Sequence, residues 1–353
     1  NLDGTGQDAL TVVTHNYTGT TPAIVVTQVD ALTIDTLETL TVSGTEAAVA
    51  DTVLGAITAD GSDSVTIKTD AVTSTITTVD FTTGAVSADA ATALAVTAGG
   101  NTNLIVGAVS NTGTDLETLS VTAGDDANLN LTSVTATGSD LSTLTVTAGI
   151  GATIGADLTG TTVLPITADT IEAATITLGA ASVSAFNLLY GGTTAITATT
   201  GSTLLLGTVG VASTESSTTI TGRGDLNNGT ITLLGDGTFN FSGFVQAAGS
   251  ITIDANNDGD DKTIVTNDQA ATTTNLLVNG AGDNTITTGA ADDAITTGAG
   301  DDTVNGGAGV DTIITAAGDD AINGGAGADI VTPGTGADTV TATSGDRIIF
   351  AAG

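Results

Sequence analysis

Near the end of this 353-residue chain, oxygen donors return every nine residues: Asn284, then Asp293, Asp302, Asp311, Asp320, Asp329 and Asp338. Written from Asn279, eight units read NGAGDNTIT, TGAADDAIT, TGAGDDTVN, GGAGVDTII, TAAGDDAIN, GGAGADIVT, PGTGADTVT and ATSGDRIIF. The pattern is x-G-x-G-x-D-x-U-x, where U is Ile or Val: Ile286, Ile295, Val304, Ile313, Ile322, Val331, Val340 and Ile349. Carboxylates and main-chain carbonyls at this density suit a hard divalent cation that takes six to eight oxygens, which describes calcium. Magnesium asks for a stricter octahedron, and zinc prefers His and Cys, of which the chain has one and none.

The positions divide the work. Gly280, Gly289, Gly298, Gly307, Gly325 and Gly334 hold the second place; Gly282, Gly300, Gly309, Gly318, Gly327, Gly336 and Gly345 hold the fourth. Glycine lets the backbone turn tightly and leaves carbonyls unobstructed by a Cβ. The β-branched residue suits a short strand with its side chain buried. The pattern resembles the calcium-binding nonapeptide of parallel β-rolls. In such a roll one unit is half a coil, so unit n stacks on unit n+2. That places Asp302, Asp320 and Asp338 along one edge and Asp293, Asp311 and Asp329 along the other. Bare carboxylates about 4.8 Å apart, the strand spacing, would repel by roughly 3 kcal/mol at an effective dielectric near 20. A cation must lie between them. Five stacked pairs can donate oxygen from both partners if Asn284 with Asp302 is included; the sixth sets Arg347 against Asp329, so unit eight reads as a closing turn. A flexible Gly/Asp-rich linker would not keep an apolar residue at every ninth position through eight units.

The elements in front of the array follow a different rhythm. From about Ala9 to Val278 the chain alternates apolar and polar residues in short runs such as LTVSG, VTIKTD, ALAVTAGG, LSVTAGDD and LTVTAG, broken by Gly, Asp and Asn. Period-two runs bounded by turn residues are strands. Leu94, Leu119 and Leu144 lie at intervals of 25, as do Leu40 and Val65. A coil of roughly 20–25 residues with three short strands is the mark of a β-solenoid. The reading is all-β: an elongated, parallel β-helix-like solenoid over 12–278, followed by a calcium β-roll over 279–353. Residues 3–11, DGTGQDALT, fit the same frame with Gly4, Gly6, Asp8 and Leu10. Segment 1–11 is either the remnant of an earlier array or a coincidence in a Gly/Asp/Thr-rich chain.

A strand entry recurs: Leu37-Glu38-Thr39-Leu40, Leu116-Glu117-Thr118-Leu119 and Leu141-Ser142-Thr143-Leu144, with Ile171-Glu172 a looser copy. Thr/Ala-rich coils with this entry, followed by calcium nonapeptides, resemble bacterial surface-layer proteins of the repeats-in-toxin (RTX), type I-secreted class. The resemblance implies a self-assembling extracellular coat on the bacterial cell surface, dependent on calcium for folding and assembly. It also implies a C-terminal export signal and an N-terminal anchoring domain outside this chain, the latter a route to cell-surface polysaccharide. The expected partners are calcium ions and further copies of the chain in a lattice or filament.

Composition narrows the classes. With 39 acidic against 4 basic residues the net charge is −35, which argues against nucleic acid, since phosphate binding needs Lys/Arg clusters. Membrane insertion is not expected, because no run of 18 apolar residues occurs. Aromatics are 2% and Trp and Met are absent, so the core must be thin and built from small aliphatic residues.

Lesser candidates carry less. Asp254, Asn256 and Asp258 form D-x-N-x-D-G, the first half of a calcium loop, but Val265 stands where a bidentate Glu belongs; a calcium site unlike an EF-hand and a solvated acidic turn both remain open. Gly124-Asp125-Asp126 and Gly235-Asp236-Gly237 read first as turns. His15 has no partner for metal or triad chemistry. Lys68, Arg223, Lys262, Arg347, Tyr17 and Tyr190 are scattered, so no sugar-cleaving cleft is expected and enzyme activity is not. Thr143, Thr145 and Thr147, with Thr175, Thr177, Thr197 and Thr199, are ordinary outward strand residues rather than an ice-binding array. Asn16, Asn130, Asn228 and Asn240 begin glycosylation sequons. A coat protein leads; the alternatives are the stalk of an RTX adhesin or other secreted matrix protein, and the calcium scaffold of an enzyme whose catalytic part lies elsewhere.

Overall fold

The computed structural model describes residues 9–13, 27–29, 32–33, 37–44, 52–59, 62–69, 71, 79–113, 116–156, 164–180, 182–198, 203–210, 218–226, 230–234, 236–246, 251–255, 260–266, 274–277 and 280–350. Their regular structure is all β-strand, paired in parallel. No helix among them is long and apolar enough to cross a membrane. The chain divides into two compact units, Asn1–Asn187 with Ala198–Thr203, and Leu188–Thr197 with Leu204–Gly353.

In the first unit each coil has three strands, as the 25-residue spacing requires. One ladder runs through Ala9–Val13, Leu37–Gly44, Ser62–Thr69, Ala93–Ala98, Thr118–Ala123 and the ends of Asn128–Ala148 and Leu164–Leu178. Its register aligns Leu40, Val65, Leu94, Leu119, Leu144 and Ala174 in one column. The next inward column holds Ile67, Val96, Val121, Val146 and Ile176, all buried. A fully buried Val or Leu contributes about 1.5–3 kcal/mol, so a column of them stabilises the stack, to which the buried rings of Phe81 and Phe186 add. The second ladder joins Thr27–Val29, Thr52–Leu54, Val79–Thr83, Thr102–Asn111, the start of Asn128–Ala148, and Thr153–Gly155. The third joins Leu32–Thr33, Ile57–Thr58 and Val86–Ser87 to Val109 and Ser110 and, through them, to Val134 and Ile166 of the longer strands.

Asn128–Ala148 serves all three ladders because its corners stay extended; a register shift between Ala136 and Asp140 marks one of them. Leu116, Leu141 and Ile171, from the recurring entry motif, are buried beside these strands. Thr145 and Thr147 stack on Ser120 and Thr122 and under Thr175 and Thr177, on the outward, half-buried side. Leu10 of the N-terminal nonapeptide lies in the strand Ala9–Val13 and pairs with Leu40; Gly4, Gly6 and Asp8 lie outside the described residues.

In the second unit the coil contracts. Thr218–Leu226 and Gly237–Gln246 still pair on both sides of a bulge between Thr221 and Arg223. From Lys262 on, each coil has two strands: Lys262–Val265 pairs with Thr285–Thr287, and Thr274–Leu277 with Ala294–Thr296. Partners Gly237 and Lys262 are 25 residues apart, Thr263 and Thr285 are 22, and Thr285 and Thr303 are 18. Strand pairing crosses residue 278 unbroken. Parallel strands stack through backbone bonds, so the change in side-chain pattern at the first nonapeptide does not interrupt the ladder.

Candidate metal centre

Each of the first seven nonapeptides contributes a strand of three residues whose middle side chain is the β-branched one, and the eighth contributes Arg347–Ile348. Ile286, Ile295, Val304, Ile313, Ile322 and Val331 are buried to 2% exposure or less. Alternate strands pair: Ile286, Val304, Ile322 and Val340 form one column, and Ile295, Ile313, Val331 and Ile348 the other. Unit n thus lies on unit n+2, as the half-coil geometry requires.

That register brings the sixth-position residues together. Asp302 Oδ1 accepts the backbone N–H of Asn284 at 2.9 Å, Asp320 that of Asp302 at 2.9 Å, and Asp338 that of Asp320 at 3.1 Å. On the other edge Asp311 accepts from Asp293 at 2.8 Å and Asp329 from Asp311 at 2.9 Å. Asp293, Asp302, Asp311, Asp320 and Asp329 are at most 2% exposed. The second oxygen, Oδ2, of Asp320 and Asp329 is buried with no hydrogen-bond partner. Burial, the largest influence, pushes the Asp302 carboxyl above its usual range against hydrogen bonds from the Asn284 backbone, the Thr297 hydroxyl and the Asn284 side chain, and the charge of Asp320 adds to the rise. Buried ionised carboxylates are costly unless paired or coordinated, and the described part of the roll offers no ammonium or guanidinium along Asp302, Asp320 and Asp338. A divalent cation fits these orphaned oxygens.

Side chains alone do not complete its shell. Among the described residues no group of three or more His, Cys, Asp or Glu side chains could hold a metal, so carbonyls must supply further oxygens. The turn glycines make this possible. Second- and third-position carbonyls are occupied between coils: Gly289 O accepts Ala308 N–H at 2.9 Å and Ala326 O accepts Gly309 N–H at 2.9 Å. The fourth-position carbonyl faces the sixth-position side chain, as Asn284 Nδ2 demonstrates by donating to Gly282 O at 2.7 Å. Gly307 has φ +93° and Gly318 φ +146°. A Cβ on either would collide with the carbonyl oxygen of Gly289 or Gly300 in the preceding coil. Gly280, Gly282, Gly289, Gly298, Gly300, Gly309, Gly325, Gly327, Gly334 and Gly336 lie in the equivalent turns.

Four features of the site escaped the sequence pattern. The last unit is one residue short. Asp346, not Arg347, stands under Asp329 and accepts its N–H at 3.0 Å, while Arg347 pairs with Ile330 and is exposed. The expected Asp329–Arg347 pairing is therefore corrected, and Ile348 rather than Ile349 stacks on Val331. The N–H of Asp329 and then that of Thr343 hold the Asp346 carboxyl below its usual range. At the first-position Gly306 and Gly324 a Cβ would meet Oδ2 of Asp311 or Asp329, so glycine leaves those carboxylates room.

A second carboxylate ladder occupies the fifth position. Asp236, Asp261, Asp283, Asp301 and Asp319 each accept, through Oδ1, the N–H of the matching residue one coil later, at 2.7–2.8 Å. In unit 1 Asp125 does the same for Ile150 at 2.9 Å. In Asp301-Asp302 and Asp319-Asp320 the first carboxylate staples the next coil from outside and the second staples the previous coil from inside. The repeated Asp-Asp dipeptide was the available signal. Finally, the register places Lys262 directly before Asn284 in the sixth-position column, its N–H donating to Asn284 Oδ1 at 3.1 Å. Asp254 ends the strand Ile251–Asp254, level with Leu277; Asn256 and Asp258 lie outside the described residues.

The family model described as RTX calcium-binding nonapeptide repeat (4 copies) matches residues 278–313 and 306–340. No curated protein and no solved structure matches the chain. Residues 278–340 are therefore calcium-binding repeats of the RTX type, folded as a β-roll.

Proposed function

We propose that this chain is a structural, extracellular protein that self-assembles into a bacterial surface layer, with calcium driving its folding and assembly. The observation that carries the calcium half is the file of buried aspartates, in which the Oδ2 atoms of Asp320 and Asp329 have no donor. With dissociation constants of about 10⁻⁴ M, within the range of extracellular modules, ~1 mM calcium adds roughly 1.4 kcal/mol per site by linkage. Several such sites match the stability of a whole domain. The roll is then unfolded at cytoplasmic calcium and folds after export.

The assembly half is supported by the stacked, Thr-rich coils, whose inward side chains form columns among the described residues, and by a net charge of −35 that divalent cations would neutralise between copies. Calcium and further copies of the chain are the partners; polysaccharide would be reached through an anchoring domain outside it. Catalysis is not part of the proposal, because the paired carboxylates serve as staples and cation ligands. Electron microscopy of the protein with and without calcium tests it. Ordered sheets that appear with calcium support a coat, whereas isolated particles at every calcium concentration would overturn it in favour of an adhesin stalk or secreted matrix segment.

A further inference from the structure

One sixth-position column begins with two residues that are not aspartate. The pairing of Thr263 with Thr285 and Ile264 with Ile286 sets Lys262 before Asn284, and the pairing of Thr285 with Thr303 sets Asn284 before Asp302. The column therefore runs Lys262, Asn284, Asp302, Asp320, Asp338. Lys262 and Asn284 are each 2% exposed, as deeply buried as the aspartates that follow. The inter-coil staple is the same throughout: Lys262 N–H to Asn284 Oδ1 at 3.1 Å, Asn284 N–H to Asp302 Oδ1 at 2.9 Å, Asp302 N–H to Asp320 Oδ1 at 2.9 Å.

What differs is the atom beside the turn carbonyl. The N–H of Lys262 can only donate, so it fixes the orientation of the Asn284 amide, with Oδ1 toward Lys262 and Nδ2 away. Nδ2 then donates both to Gly282 O at 2.7 Å and to Asp302 Oδ1 at 3.0 Å. One coil earlier the Lys262 ammonium lies 3.4 Å from Asp260 O, the carbonyl at the same fourth position. In these two rungs a nitrogen donor meets the turn carbonyl. In the rungs of Asp302 and Asp320 the corresponding side-chain atom is a carboxylate oxygen: Oδ2 of Asp320 has no hydrogen-bond partner, and the Asp302 carboxylate has the Thr297 hydroxyl beside it.

We infer that Lys262 and Asn284 are built-in substitutes for calcium, which close the first two rungs of this column without metal and place its first ion between Asp302 and Asp320. An ammonium supplies the positive charge directly; an amide nitrogen bridges carbonyl and carboxylate as the ion would, without charge. The electrostatic requirement of a hard cation among oxygens is met by protein atoms where the roll begins and by calcium only farther along. The roll thus has a metal-free template on which the calcium-dependent coils stack, and it fills away from residue 262. This rests on the calcium-driven folding proposed above.

The test counts calcium bound to the whole chain by titration calorimetry and elemental analysis, and follows folding of the roll by far-UV dichroism. Asn284→Asp replaces the donor with a ligand and binds one calcium more than the wild type. Asn284→Ala removes the amide oxygen and binds the wild-type number. Lys262→Met leaves the number unchanged but raises the calcium concentration at the folding midpoint several-fold, because the Asp260 carbonyl loses its donor in the template. A wild-type count for Asn284→Asp folded at saturating calcium, one calcium fewer for Asn284→Ala, or an unshifted midpoint for Lys262→Met would each overturn the inference. A wild type that binds no calcium overturns instead the proposed function, and this inference with it.

Discussion

Asp346 accepts the N–H of Asp329 across seventeen residues, whereas Asp329 accepts that of Asp311 across eighteen. The single missing residue makes a carboxylate, rather than the neighbouring guanidinium, the end of this column, and Thr343 N–H occupies its other oxygen. Asp346→Ala strips acceptors from both N–H groups at the exposed end of the roll. The expected result is a several-fold higher calcium midpoint in a dichroism titration, with Arg347→Ala indistinguishable from wild type.

Asp311 lies between Asp293 and Asp329, so it borders two gaps in its column, whereas Asp293 borders one with another aspartate. Asp311→Ala is expected to lower the number of bound calcium ions by two and Asp293→Ala by one, as counted by calorimetry. Equal losses from the two variants would show that the ions are not shared between stacked aspartates.

The fifth-position staple predicts the opposite behaviour. Asp301 is exposed and accepts Asp319 N–H at 2.8 Å. Asp301→Ala should cost about 1 kcal/mol, the net worth of one hydrogen bond, in chemical denaturation at saturating calcium. The calcium count should stay at the wild-type value.

Gly307→Ala forces φ +93° on a residue with a Cβ and drives that Cβ into Gly289 O. Backbone strain of this kind costs about 1–3 kcal/mol before the collision is counted. Loss of the calcium-induced dichroism signal over the accessible calcium range is the expected outcome.

Calcium removal should separate the two kinds of coil. In hydrogen exchange with a chelator present, peptides from 280–350 should lose protection, because their buried carboxylates repel. Peptides from 93–148 should keep it, because their columns are apolar: Leu94, Leu119 and Leu144, with Val96, Val121 and Val146.

Tyr190 is fully buried, and its hydroxyl lies 3.1 Å from Thr194 Oγ1. Burial pushes its phenol well above the ordinary value near 10, outweighing the hydrogen bond to Thr194. A raised folded-state value means a contribution present in full below about pH 10 and lost as pH rises above it. Of the two tyrosines, Tyr190 should therefore ionise only together with alkaline unfolding, which ultraviolet difference spectra would record as a step coincident with loss of dichroism.

The chain's own pattern determined a good deal of this. A β-branched residue at every ninth place and Leu at intervals of 25 specify a strand's inward face and the length of a coil, because burial of alternate side chains admits one register and rejects a slip of one residue. Gly and Asp at set places specify turns and oxygen donors. What the tertiary structure decided is which residue each donor meets. Coil length varies from 25 to 22 to 18 to 17 residues along the second unit, and stacking follows backbone pairing rather than sequence period. So Lys262, outside the nonapeptide frame, enters the calcium column, and Asp346 displaces Arg347 from its end. The Asp-Asp pairs look uniform in sequence, yet adjacent side chains of an extended segment point to opposite faces. Only the fold sends one carboxylate inward to the buried file and its neighbour outward as a staple.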